Sequence, residues 1–203
     1  MPGLSSTSVS LVPHANSQTL AVRSIKVDIN TTSDGAMRLR YLLEGELDRL
    51  AIPVTASPVH TDDLWRHTCF EAFVAAGNSP AYCEFNFSPS TQWAAYSFAR
   101  YREEMAPLDC GVSMPVEVHN SSERLELEVP IPGMALRMIS AGGAIRMALA
   151  AVVEESDGRL SYWALMHPSS SPDFHHPDSF MLHLHLQRPV VTGAVLTDTK
   201  AAS

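Results

Sequence analysis

The chain has 203 residues, 45% of them hydrophobic, and a formal charge of −8 from 14 basic against 22 acidic residues. That length suits one domain burying roughly 70% of its unfolded surface around a single core, and with no cluster of Lys or Arg the acidic balance excludes nucleic acid as a partner. No stretch approaches the ~20 apolar residues of a membrane helix, and residues 1–10 lack a basic start followed by an apolar run, so neither a membrane span nor a signal peptide is expected and the expected location is the cytoplasm.

From Leu20, the apolar positions Leu20, Val22, Ile25, Val27 and Ile29 alternate with one change of phase, which predicts a half-buried strand carrying a bulge. Thr31-Thr32-Ser33-Asp34-Gly35 is turn chemistry leading into a second strand from Met37 to Leu43. Residues 46–66, with Pro53 and Pro58, read as a long connection over the sheet. Strands follow at 68–76, 81–88 and 92–101, and Leu125-Glu126-Leu127-Glu128-Val129 alternates strictly before Pro130 to Pro132 closes it. Residues 133–140 allow one short helical turn. Ile145 to Val153 is almost continuously apolar and forms a hairpin with Leu160 to Met166, and Phe180 to Leu186 alternates once more. About ten strands at regular spacing and no long helix predict an all-β fold, an antiparallel two-sheet β-sandwich of jelly-roll type. The expected division is an N-terminal segment over 1–19, the sandwich over 20–187 and a flexible C-terminal tail over 188–203.

The three cysteines, Cys69, Cys83 and Cys110, have no CxxC spacing and read as reduced thiols. Alternation puts Cys83, Phe85 and Phe87 on a core face and Tyr82, Glu84, Asn86 and Ser88 on the other. That second face reads either as solvent surface or as a row of hydrogen-bonding groups matched to sugar hydroxyls. Glu71 shares an apolar row with Cys69 and Phe73, so its carboxylate needs a partner, and Arg66, Arg102 or a ligand would supply one. Trp65, Trp93 and Trp163 are core residues or stacking platforms. The densest stretch runs from His167 through Asp173, His175 and His176 to Asp178; a divalent metal there, with His183 and His185, is the minor alternative to loop histidines that satisfy backbone groups. Glu71 and Glu84 also supply the two carboxyls that glycoside hydrolysis requires, although no catalytic motif accompanies them.

The residues Leu64-Trp65, Thr68-Cys69-Phe70-Glu71-Ala72-Phe73, Tyr82-x-Glu84-Phe85-Asn86-Phe87-Ser88-Pro89, Trp93-Ala94-Ala95-Tyr96, Tyr101-Arg102, Ser161-Tyr162-Trp163-Ala164-Leu165-x-His167-Pro168 and Pro172-Asp173-Phe174-His175-His176 resemble DOMON-like bacterial domains related to family 9 carbohydrate-binding modules. The resemblance covers roughly residues 20–187. It implies a non-enzymatic β-sandwich whose small-molecule ligand is a carbohydrate or similar polar compound, sandwiched by Trp65 and Trp163 and hydrogen-bonded by Glu71, Glu84, Asn86 and Arg102, with His167, Asp173, His175 and His176 nearby. It implies as alternatives a haem-binding electron-transfer domain, with axial ligands among Met105, Met114, Met166, His167 and His175, and a protein-interaction scaffold. No cofactor is predicted.

Overall fold

Strand-forming alternation runs through most of the chain, and the computed structural model, which describes residues 6–17, 19–32, 35–109, 113–140 and 143–186, turns it into twelve strands and one helix. In chain order these are β1 (Ser6–Pro13), β2 (Val22–Thr31), β3 (Met37–Gly45), β4 (Cys69–Ala76), β5 (Tyr82–Phe87), β6 (Trp93–Phe98), β7 (Ala106–Pro107), β8 (Glu117–Asn120), β9 (Arg124–Ile131), α1 (Gly133–Ser140), β10 (Ala144–Glu154), β11 (Leu160–Ala164) and β12 (Leu182–His185). Pairing is antiparallel between all of these strands. The anticipated phase change is a β-bulge at Val22/Ser24 opposite Gly45, where a Cβ on residue 45 would lie 2.2 Å from the Ala21 carbonyl oxygen. Of the turn that follows β2, Gly35 has the expected positive φ of 82°, whereas Ser33 and Asp34 lie outside the described residues.

Sequence alone predicts two separate sheets; the structure has one curled sheet in the order β7-β6-β5-β4-β10-β11-β1-β2-β3-β9-β8, with β12 beside β10. The continuity comes from β1, which lies in the segment set apart as N-terminal. Ser6 to Leu11 pair with β2, and Val12 and Pro13 then pair with β11, so one strand is shared by both halves. Strand β9 ends at Ile131, within the segment from Pro130 to Pro132 expected to close it. β8 pairs only as far as Glu128, so the missing N–H of Pro130 interrupts no ladder on that side. The residues assigned to a C-terminal tail lie outside the described ones, as does Cys110.

The halves face each other across the main core. Val27 and Ile29 of β2, Leu39 and Tyr41 of β3 and Leu127 of β9 meet Phe70 of β4, Phe85 and Phe87 of β5 and Leu149 of β10, all buried. Tyr41 and Phe70 pack at 5.1 Å between ring centroids, and the Tyr41 hydroxyl donates to the Glu71 carbonyl oxygen at 2.8 Å. Tyr41→Phe removes this buried hydrogen bond while leaving the ring, so thermal denaturation should show a loss of about 1 kcal/mol.

The outer faces of the two halves differ. On β3 and β9 the outer face is ionic: Arg40 forks onto Glu126 at 2.6 and 2.8 Å. On β4, β5, β6 and β10 the outer face is apolar, with Phe73, Tyr82, Tyr96, Phe98, Ala150 and Val152 buried under Phe174 and Phe180 from the segment between β11 and β12. This second buried layer explains the almost unbroken apolar run of β10, which has a core on both faces. No helix among the described residues is long and apolar enough to cross a membrane.

Candidate functional site

The apolar outer layer opens into a cleft of about 830 Å³, within the range of about 300–1,000 Å³ usual for small-molecule sites. Its floor is formed by Glu84 of β5, from the row that alternation set opposite the core, and by Glu71 of β4, whose apolar row with Phe73 belongs to this outer layer rather than to the main core. Glu71 lies opposite Asn86, and Glu84 lies opposite Phe73, so the two carboxyls are diagonal neighbours on adjacent strands. Sequence analysis left open that this face was solvent surface. It is not: Glu71 is 3% exposed, Glu84 6% and Asn86 1%.

Asn86 does not line the cleft but fixes its floor, because its side-chain amide donates to Glu84 Oε1 at 2.7 Å. Burial pushes the Glu71 carboxyl well above the usual carboxylate range, the neighbouring Glu84 adds to that, and Arg102 opposes it. Burial raises Glu84 as well, against the Asn86 amide and Arg102. Two acids stand side by side here, and among the described residues no Lys or Arg pairs directly with either; Arg102 acts on them from a distance.

Beside this floor, one chain of hydrogen bonds fixes an imidazole. The Arg102 backbone N–H donates to the Tyr82 hydroxyl at 3.2 Å, which leaves the hydroxyl proton for His175 Nδ1 at 2.7 Å. His175 therefore carries its own proton on Nε2, which faces Glu84 Oε2 at 3.7 Å. Burial, reinforced by Arg102 and opposed by Asp173, pulls His175 down to about 4, so the ring is neutral at pH 7. Its position is set by Asp173, whose Oδ1 accepts from the His175 backbone N–H at 3.2 Å and from the Arg102 guanidinium at 2.9 Å, while Oδ2 accepts from the Tyr101 hydroxyl at 2.7 Å.

The walls are aromatic and aliphatic: Tyr96 and Phe98 of β6, Val152 of β10, Leu160 and Tyr162 of β11, and Phe174. Trp65 stands at the mouth in a 3-10 turn, Leu64–Arg66, and is 49% exposed. Two rim residues occupy left-handed backbone conformations that non-glycine residues seldom adopt, Asp63 at φ 62° and Arg102 at φ 55°. Asp63 pairs with Arg66 at 3.3 Å, and Asp62 accepts from the Tyr96 hydroxyl at 2.5 Å.

Of the residues anticipated from sequence, Trp65, Glu71, Glu84, Arg102 and His175 line the cleft. Asn86 and Asp173 support them from behind. Trp163 does not belong to the site. It is 4% exposed on the main-core side of β11, with its indole N–H donated to the Ser161 hydroxyl at 3.1 Å. Parity decides this: Trp163 and Ser161 share the inner face, and Tyr162, one residue away, takes the cleft position. His167 is also misplaced by the sequence reading, because its Nε2 meets the Val12 carbonyl oxygen at 2.9 Å and its ring abuts His14, tying the end of β1 to the loop. His176 instead caps the 3-10 turn Pro177–Ser179, where its Nδ1 accepts from the Asp178 N–H.

Among the described residues no three His, Cys, Asp or Glu side chains gather in a metal-binding group. Nor do the residues suit a haem. Met105 lines the cleft, but both His175 ring nitrogens are directed at Tyr82 and Glu84, Met114 is fully buried in the core, His167 is committed to β1, and two carboxyls floor the cleft.

Neither a protein-family profile nor a curated protein matches this chain. Among solved structures, a presumed carbohydrate-binding protein from Bacteroides uniformis ATCC 8492 superimposes with a TM-score of 0.65 over 87% of this chain and 84% of that one, at 14% identity. At that identity the likeness is one of fold. It shows that this curled antiparallel architecture is shared with a protein so described.

The cleft residues that sequence reasoning missed include Asp62, Asp63, Tyr96, Phe98, Tyr162 and Phe174. Tyr162 was within reach, since Leu160, Tyr162 and Ala164 alternate with Ser161 and Trp163. Asp62 and Asp63 had no comparable signal, because they lie in a long connection without periodicity.

Proposed function

We propose that the protein is a non-catalytic binding module for a carbohydrate-type small ligand held in this cleft. The observation that carries the reading is a cleft that combines buried hydrogen-bonding carboxyls on its floor with an exposed indole at its mouth. A sugar ring needs both, with acceptors for its hydroxyls and a flat apolar surface for its C–H face. The presumed ligand class of the Bacteroides protein of like fold supports this assignment. So does the convergence of Trp65, Glu71, Glu84 and Arg102, four of the residues behind the resemblance to DOMON-like domains related to family 9 carbohydrate-binding modules. A binder also accounts for Glu71 and Glu84 better than a hydrolase, since both rise from neighbouring strands of one floor rather than flanking a bond from two sides.

The test is titration of a glycan panel against the protein and against Trp65→Ala. At least one glycan should bind, and Trp65→Ala should weaken it by about 1–3 kcal/mol, roughly 5- to 150-fold. A panel with no binder, or a bound glycan indifferent to Trp65→Ala, would remove the stacking model.

A further inference from the structure

The charges of the cleft do not cancel. Asp62, Asp63, Glu71 and Glu84 line it against Arg66 and Arg102. Arg66 is taken up by Asp63, and Arg102 by Asp173, which the Tyr101 hydroxyl also binds. Asp62 is met by the Tyr96 hydroxyl. What remains is the floor: Glu84 has the Asn86 amide on one oxygen and a neutral imidazole at 3.7 Å from the other, and Glu71, 3% exposed, makes no hydrogen bond through its carboxyl among the described residues. The groups packed behind it supply no positive charge, since burial keeps the Tyr41 hydroxyl and the Cys69 thiol protonated and neutral.

A neutral hydroxyl offers one proton to such a pair. An ammonium offers three, together with the missing charge, and the surrounding rings of Trp65, Tyr96 and Tyr162 turn faces or edges to the same space, a composition suited to a cation. Building on the carbohydrate reading, we infer that the cleft selects a sugar bearing a free, protonated amino group, whose ammonium is held by the Glu71 and Glu84 carboxylates. Arg102 does not repel this guest strongly, because Asp173 screens its guanidinium, and the net charge of −8 favours the approach of a cation. Burial and Glu84 favour the protonated form of Glu71 in the empty cleft, whereas an entering ammonium favours the ionised form, so a proton held by Glu71 passes to solvent on binding and the amine stays protonated.

Isothermal titration with glucosamine, galactosamine and a β-1,4-linked glucosamine tetramer, each beside its N-acetylated and its 2-hydroxyl counterpart, tests the inference. The amine series should bind at least tenfold tighter, and buffers of different ionisation enthalpy should reveal protons released. Glu71→Gln and, independently, Glu84→Gln should each weaken the amine series at least tenfold and the hydroxyl series less than threefold, with circular dichroism confirming that both variants are folded. Equal or tighter binding of the N-acetylated or hydroxyl sugars overturns the amine inference and leaves the carbohydrate reading standing. Binding of spermidine with no sugar bound supports the ammonium site and overturns the carbohydrate reading. Absence of binding by every probe overturns both.

Discussion

Trp163→Ala should destabilise the protein by about 3–5 kcal/mol, whereas Trp65→Ala should leave stability within about 1 kcal/mol of the parent. The reason lies in what each indole touches. Trp163 is 4% exposed in the main core, opposite Ala151 of β10 and Pro13 of β1, and its N–H is satisfied by Ser161. Truncation leaves a cavity at the junction where β1 passes from one half of the sheet to the other, and that junction cannot collapse without breaking strand pairing. Trp65, half exposed above a short 3-10 turn, loses little protein contact beyond the Arg66 guanidinium 5.3 Å from its ring. Chemical denaturation measures both variants. In a domain of this size the Trp163→Ala loss corresponds to a fall in melting temperature of roughly 6–20 °C. Wild-type stability in Trp163→Ala would contradict the inward parity of β11 and return that indole to the site.

Elements whose one face is wet were legible in the sequence; elements buried twice were legible only as strands. Strand β9 alternates Leu125, Leu127 and Val129 with Glu126 and Glu128, and both its existence and its facing follow directly. Strand β10 is apolar at nearly every position, so its pattern reveals burial and conceals which residues look into the cleft. Its neighbour β11 inherits that ambiguity, and the larger aromatic, Trp163, drew the functional assignment that belongs to Tyr162. Glu71 was found because a carboxylate in an apolar row contradicts its surroundings, and Glu84 because it stands in a row of hydrogen-bonding groups with Tyr82 and Asn86. Strands β7 and β8 escaped because they are short edges, and β1 because its polar Ser-Thr-Ser start shows little apolar alternation and its end is held by the distant β11. The continuity of the sheet was invisible for the same reason, since it depends on two residues, Val12 and Pro13, leaving one partner for another.

Glu71→Gln should make the unliganded protein more stable at pH 8 and have no effect near pH 4. The Glu71 carboxyl is raised in the folded state by burial and by Glu84, whereas in the unfolded chain it titrates near 4.3. The native protein therefore holds a proton that the unfolded chain gives up. This contribution is complete below the unfolded value and is lost as pH rises through the folded one, at about 1.4 kcal/mol per pH unit for a single group. Glutamine keeps the shape and cannot ionise, so the variant escapes that loss. His175 works in the opposite direction: its folded value of about 4 lies below the ordinary 6.5, so the folded state loses stability as pH falls from 6.5 towards 4. Because His175 is present in both proteins, the difference between their melting curves isolates Glu71, apart from its effect on Glu84. Thermal scans from pH 4 to 8 should show the curves together at the acid end and separating upward by about 2–4 °C for each kcal/mol. Parallel curves throughout would mean that Glu71 ionises normally and that the floor holds no unmet charge. Divergence would identify the instability that a bound cation relieves, and an amino sugar added at pH 8 should then stabilise the wild type more than the variant.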